Sequence, residues 1–173
     1  MIGRPAAPIR SAFLILAILA AGAALADEVA GRVVAVADGD TLTVLDAGHQ
    51  QHRIRLAGID APEKRQAFGH AAKDGLSSLS YGRTVTVRWD KRDRYGRIVG
   101  VVLVDGTDAG LAQVRAGLAW HYVQYAREQS LQDRQAYAKA EADARAQRRG
   151  LWSDSVPVPP WDWRAASRAV GTH

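Results

Sequence analysis

Acids and arginines suited to work together fall in three short stretches of this chain: Asp38-Gly39-Asp40, Arg53 to Glu63 (RIRLAGIDAPE), and Asp90 to Arg97 (DKRDRYGR). Asp40 and Asp60 offer oxygen-only ligation, the donor set that a hard cation such as Ca²⁺ or Mg²⁺ takes. With only two or three acids in reach, water must complete the shell. Pro62 stiffens the turn that carries Asp60 and Glu63, because it fixes its own φ and pushes Ala61 toward an extended conformation. Glu63 stands three residues beyond Asp60, within range of the ion's outer shell, where a carboxylate can take a proton from water. Arg55 and Arg97 add planar guanidinium groups that bind phosphate in a two-pronged way and stabilise charge developing on its oxygens. A surface ion pair would account for any one of these stretches. The five residues together read as metal-assisted displacement at phosphorus: one cation, two arginines and one base. Asp38 reads differently, as ordinary Asp-Gly turn chemistry.

The elements that must position these groups are mostly short strands. Val29–Ala37 and Thr41–Leu45 alternate apolar residues with turn signals between them, and Arg53 opens a third strand with Ile54 and Leu56 on one face. Gln66–Tyr81 carries an apolar stripe at helical spacing (Phe68, Ala71, Ala72, Leu76, Leu79) and ends before Gly82. Two further strands, Thr84–Trp89 and Ile98–Val104, flank the basic loop. A short helix over Asp108–Ala116 and a longer one over Ser130–Arg149 follow, with the aromatic stretch Gly117–Tyr125 between them. Five strands with a helix after the third fit a five-stranded Greek-key barrel of the OB type, an α+β and mainly β fold with three helices.

Composition narrows the class. The chain has 173 residues, with 23 basic and 18 acidic, and no cysteine, so thiol, Cys-zinc and disulfide chemistry are excluded. Residues 1–26 read as a secretory signal peptide. Arg4 and Arg10 precede an uncharged apolar run from Ser11 to Leu25, and Ala24-Leu25-Ala26 supplies a small-residue cleavage site. Residues 27–155 then form one domain of an exported protein, periplasmic or secreted, and 156–173 form a tail rich in Pro and Trp. The five histidines make no metal or nucleophile pattern, and His121 reads as a packed residue.

The stretches DGDT (Asp38–Thr41), RIRLAGIDAPE, DRYGR (Asp93–Arg97), GLAWHYVQY (Gly117–Tyr125) and GLW (Gly150–Trp152) recur in order at the separations of the thermonuclease, or staphylococcal nuclease-like, family, which the chain closely resembles from Val29 to Trp152. The resemblance implies an OB-fold and Ca²⁺-dependent endonucleolytic hydrolysis of DNA and RNA to 3′-phosphate products. Single-stranded or frayed substrate and a monomeric enzyme are expected with it. It further implies that Asp40 and Asp60 ligate one calcium through carboxylates and Ala61 through its backbone carbonyl, where the family usually has Thr. Arg55, Glu63 and Arg97 would be catalytic; Arg94, Tyr95, Tyr122 and Tyr125 would bind substrate. Tyr122 and Tyr125 depart from the family's pattern, being spaced by three residues rather than two. A catalytically silent OB module that binds nucleic acid or protein is the alternative, although such modules typically lose the acids or arginines kept here.

One expectation concerns the tail. Val156–Arg164 combines prolines with Trp161 and Trp163, which reads as an extended strap. Burying its tryptophans would stabilise the domain. The strap is expected to lie away from Asp40, Asp60 and Arg97.

Overall fold

The computed structural model describes residues 27–170, so the leader segment read from residues 1–26 lies outside the described residues. Strands β1 (Asp27–Val36), β2 (Thr41–Asp46) and β3 (Gln51–Leu56) form an antiparallel meander. A two-residue strand β4 (Ile59–Asp60) and helix α1 (Gly69–Ser80) follow, then β5 (Thr84–Arg92) and β6 (Ile98–Val104). After the two-residue β7 (Thr107–Asp108) come helix α2 (Ala109–Arg115), the two-residue strand β8 (Trp120–His121), α3 (Leu131–Ala146) and α4 (Pro160–Val170).

The five long strands lie in the order β3-β2-β1-β5-β6, and β3 also pairs with β6 in parallel. This last pairing closes the sheet into the five-stranded OB-type barrel expected from the sequence. Closure leaves no open edge between β3 and β6. It also brings two distant stretches together, since Arg55 is registered against Val99, two residues from Arg97.

The barrel interior is filled by the inward residues that alternation predicts. Val33, Leu42, Val44, Ile54, Leu56, Val85, Val87, Ile98, Val102 and Val104 are buried, together with Ala72 and Leu76 of α1 and Val114 of α2. Each fully buried Val, Leu or Ile contributes about 1.5–3 kcal/mol relative to exposure. A second cluster sits under the C-terminal segment: Trp120, Ala144, Leu151 and Trp152, with Phe68 and Trp161 packed against it. Trp120 and Trp152 meet edge to face with centroids 4.4 Å apart.

Three local expectations are revised. α1 begins at Gly69 rather than Gln66, because residues up to Phe68 loop around Glu63; Phe68 adopts a left-handed conformation, and a side chain at position 69 would drive into the Glu63 carbonyl. α3 ends at Ala146, three residues short of Arg149. The tail is a helix rather than an extended strap. Pro160 is its first residue, the position where proline's missing N–H costs nothing and its fixed φ is already helical.

Candidate active site

Asp40 is set immediately before β2 by close packing. Gly39 lies so near Ala61 and Ala72 that a Cβ would come within 2.7 and 2.6 Å of their side chains, so only glycine fits. The buried Gln113 amide donates to the carbonyls of Gly39 (2.9 Å) and Ala72 (2.7 Å), fastening this turn to α1 and α2. Asp38 shapes the turn, as its residue type suggests: Oδ1 accepts from the Asp40 N–H at 3.1 Å. Burial and the neighbouring Asp40 push the Asp38 carboxyl up to about 6.

The Asp40 carboxylate is fully engaged. Thr41 Oγ1 donates to Oδ1 (3.0 Å), the Ala61 N–H donates to Oδ2 (3.0 Å), and Arg55 Nη1 forms an ion pair with Oδ2. Burial works to raise this carboxyl, but the Arg55 charge and the two hydrogen bonds outweigh it and hold it below the ordinary value. Ala61 is itself buried, with its backbone tied directly to Asp40.

Asp60 comes from β4, which pairs with β8 so that Asp60 stands opposite Trp120. Arg55 Nη2 donates to Asp60 Oδ1 (3.0 Å) and to the Ile59 carbonyl (3.2 Å), so one guanidinium spans both acids. Burial opposes the Arg55 charge, and the two carboxylates overcome it, raising the guanidinium's pKa further. Asp60 is different from Asp40: burial keeps its carboxyl above the ordinary value despite the arginines beside it.

Arg97 is held from the loop. Asp93 accepts from Arg97 Nε (2.7 Å) through Oδ2, and through Oδ1 from the backbone N–H groups of Tyr95 (2.9 Å) and Arg97 (3.0 Å). Arg97 Nη1 then reaches Thr41 Oγ1 at 3.4 Å. Tyr95 is exposed, with Arg94 and Arg97 over its ring at 4.9 and 5.6 Å. Tyr122 meets Tyr125 edge to face at 4.9 Å, and Lys91 lies 5.5 Å above the Tyr125 ring while pairing with Glu128. Burial, and after it the Asp60 charge, keeps the Tyr122 phenol above its ordinary value. His121 is buried, with Nε2 2.8 Å from Gln129 Oε1, which bears out its reading as a packed residue.

The structure therefore brings Asp40, Arg55, Asp60 and Arg97 into one polar chain through Thr41. It also adds two residues that the sequence reading missed. Asp93 is one; its signal was an Asp at the first and a Gly at the fourth position of a turn. Arg164 is the other. It extends from α4 so that Nη2 meets Asp60 Oδ2 (2.7 Å), while Nη1 meets Asp60 Oδ1 (3.3 Å) and Glu63 Oε1 (2.8 Å). This overturns the expectation that the tail lies away from the site. The physical reason is aromatic packing: Trp161 stacks on Tyr122 (5.3 Å, 7°) and abuts Trp120 (5.6 Å, 69°), which lands α4 beside Asp60.

A family model described as "Staphylococcal nuclease homologue" matches residues 53–154. The chain belongs to that family. The matched stretch includes Arg55, Asp60, Glu63 and Arg97, but neither Asp40 nor Arg164. An Escherichia coli protein named "Uncharacterized endonuclease" is 49% identical over 141 residues, covering 81% of this chain and 88% of its own. "Micrococcal nuclease" of Shigella flexneri is 42% identical over 147 residues, covering 80% and 82%. "Protein ParB" of Escherichia coli is 39% identical over 173 residues, covering 95% and 94%.

Proposed function

We propose that this protein is an exported, Ca²⁺-dependent endonuclease that hydrolyses DNA and RNA to 3′-phosphate products and acts as a monomer. The observation that carries the reading is the polar chain Asp93–Arg97–Thr41–Asp40–Arg55–Asp60, with Glu63 joined to Asp60 through Arg164 and partly open to solvent. The nuclease names of the relatives support the same class, and the leader motif at residues 1–26 supports export.

The acids fit a hard cation. Both are buried oxygen donors carried on two turns, the ligand type that a hard cation takes. Asp40 and Asp60 would hold the ion, with the Ala61 carbonyl as the third protein oxygen. Among the described residues no group of three or more His, Cys, Asp or Glu side chains is arranged for metal binding, and water would complete the shell of an ion held by two acids. When bound, the ion polarises a phosphoryl oxygen and offsets its developing charge.

The chain's own residues do the rest. Arg55 and Arg97 donate to the phosphate oxygens, Arg97 from a guanidinium already oriented by Asp93. Glu63 takes the proton of the attacking water as the new P–O bond forms. The bond from phosphorus to the 5′ oxygen then breaks, and the proton returns through solvent to that oxygen. Arg94 and Tyr95 meet the backbone at the loop, and the Tyr122–Tyr125 pair offers base stacking, which favours single-stranded or frayed substrate.

The test is digestion of DNA and RNA by residues 27–173 with Ca²⁺ and with chelator, followed by end-group analysis. Ca²⁺-dependent cleavage leaving 3′-phosphates is the expected result. Tight binding without cleavage under any divalent ion would instead make the chain a silent OB module.

A further inference from the structure

We propose that Arg164 sets the divalent-ion demand of this site: it is a tethered cation that holds Asp60 and Glu63 in the ion-free protein, and the ion must displace it. The proposal rests on the reading of Asp60 as an ion ligand and concerns what competes for that acid.

The geometry is that of a competitor. One guanidinium makes three contacts with two acids, at 2.7, 3.3 and 2.8 Å. Asp60 Oδ1 is shared by Arg55 and Arg164, and Oδ2 faces Arg164. The Asp60 side chain is 2% exposed, so an ion cannot approach this carboxylate by way of open solvent on another side. Calcium needs the carboxylate oxygen at about 2.3–2.6 Å. A second cation already bonded to that oxygen repels it strongly at so short a separation.

The tether is equally specific. Arg164 follows Trp161 by three residues, so both lie on one face of α4. Trp161 seats that face by stacking on Tyr122, and upstream the Gln66 amide donates to the Val158 carbonyl at 2.6 Å. Gln66 also accepts from the Glu63 N–H at 3.1 Å, linking the tail's approach to the acid that Arg164 holds. Arg164 is thereby presented at high effective concentration rather than as a loose surface cation. It also has somewhere to go. Its side chain is 35% exposed and that of Glu63 is 41% exposed, and an open groove lined by Glu63, Lys64, Arg65, Trp163, Ser167 and Arg168 adjoins it. Arg55, in contrast, has a side chain only 16% exposed and spans both acids from a strand of the barrel.

A third catalytic arginine is the competing role. An arginine that met only the substrate phosphate would leave the ion's access to Asp60 unchanged, which a titration without nucleic acid tests.

The experiment is calorimetric titration of Ca²⁺ into residues 27–173 without nucleic acid, for the wild type, Arg164→Met and Trp161→Ala. If Arg164 is seated about nine-tenths of the time, its removal tightens apparent Ca²⁺ affinity ~10-fold. Trp161→Ala unseats the helix without changing the net charge and is expected to tighten binding in the same direction. In the wild type, saturating Ca²⁺ is expected to increase amide exchange over residues 160–170. Unchanged or weaker Ca²⁺ binding by Arg164→Met overturns the proposal. Tightening by Arg164→Met alone overturns it too, since that is a through-space charge effect without displacement. No Ca²⁺ binding by any of the three proteins, each folded by circular dichroism, would instead overturn the calcium reading beneath it.

Discussion

Arg55 and Arg164 both bond Asp60, one from within a closed sheet and the other from a helix laid on after the barrel is complete. Arg55 is fixed by strand register: β3 pairs with β2 on one side and β6 on the other, so its backbone is held in place while its guanidinium spans the two acids. Arg164 is fixed by side-chain packing of one short helix, chiefly through Trp161. The same ion-pair chemistry thus has two very different mobilities. A backbone held in a cooperative sheet moves only when the domain unfolds, whereas a docked terminal helix can open locally.

The largest break in this comparison is expected from Arg55→Met. It leaves Asp40 and Asp60 buried without the cation between them, a loss of roughly 3–5 kcal/mol in stability. Turnover should also fall ~10²–10³-fold if Arg55 is a preorganised donor. Chemical denaturation and initial-rate assays read the two effects separately, and a variant as stable as the wild type would show that the sheet does not depend on this pair.

Next comes Arg97→Ala, which should lose turnover by ~10²–10³-fold with little change in melting, because Arg97 lies at the loop and not between buried acids. Affinity for a non-cleavable oligonucleotide should fall much less, since several other basic residues share that attraction. Equal losses in binding and cleavage would reduce Arg97 to a phosphate anchor. Asp93→Ala is expected to mimic it more weakly, up to ~10²-fold, by releasing the guanidinium from its orientation.

Truncation after Asp154 sharpens the contrast from the other side. The loss of Trp161 packing should cost on the order of 1.5–3 kcal/mol, or several degrees of melting temperature. The ion-free protein should show the loss most clearly, because Ca²⁺ competes with the same docked helix. A melting temperature unaffected by truncation would mean that α4 is not seated.

The smallest effect concerns the seam on which this C-terminal region rests. Asp108 caps α2 by accepting from the Gly110 and Leu111 N–H groups (2.9 and 3.1 Å), and Tyr137 of α3 donates to it at 2.8 Å. Burial raises the Asp108 carboxyl above its ordinary value of 3.8 despite these bonds. The folded state therefore binds this proton more tightly than the unfolded chain does. The associated stability is full below about 3.8 and is lost as pH rises through the folded value. Asp108→Asn keeps a capping side chain and removes the titration, so its melting temperature relative to wild type should rise with pH across that window. Parallel curves would discount Asp108 as the source.

Much of the site was legible because its residues sit at strand ends and turns, where local rules are strong. Alternation set the faces of the strands, Pro62 marked the acid turn, and Asp38-Gly39 marked the other. Glu63 stands out from its place after Pro62, but its partner does not, since Arg164 lies 101 residues away. The tail's prolines suggest an extended strap because Pro160 stands in a run of prolines, which masks its place as a helix start. Read as a first helical residue, it would have put Trp161 and Arg164 on one face.

By itself the sequence determined the order of the five long strands and the first three helices, the two acid turns, the basic loop and the family. Those follow from short-range stereochemistry and from motifs that recur at regular separations. The tertiary structure alone decided that β3 closes against β6, that Arg97 reaches Thr41, and that a C-terminal helix delivers a cation to Asp60. Each of these depends on packing between segments far apart in the chain. Periodicity states which face of an element is buried, but not which distant surface will bury it.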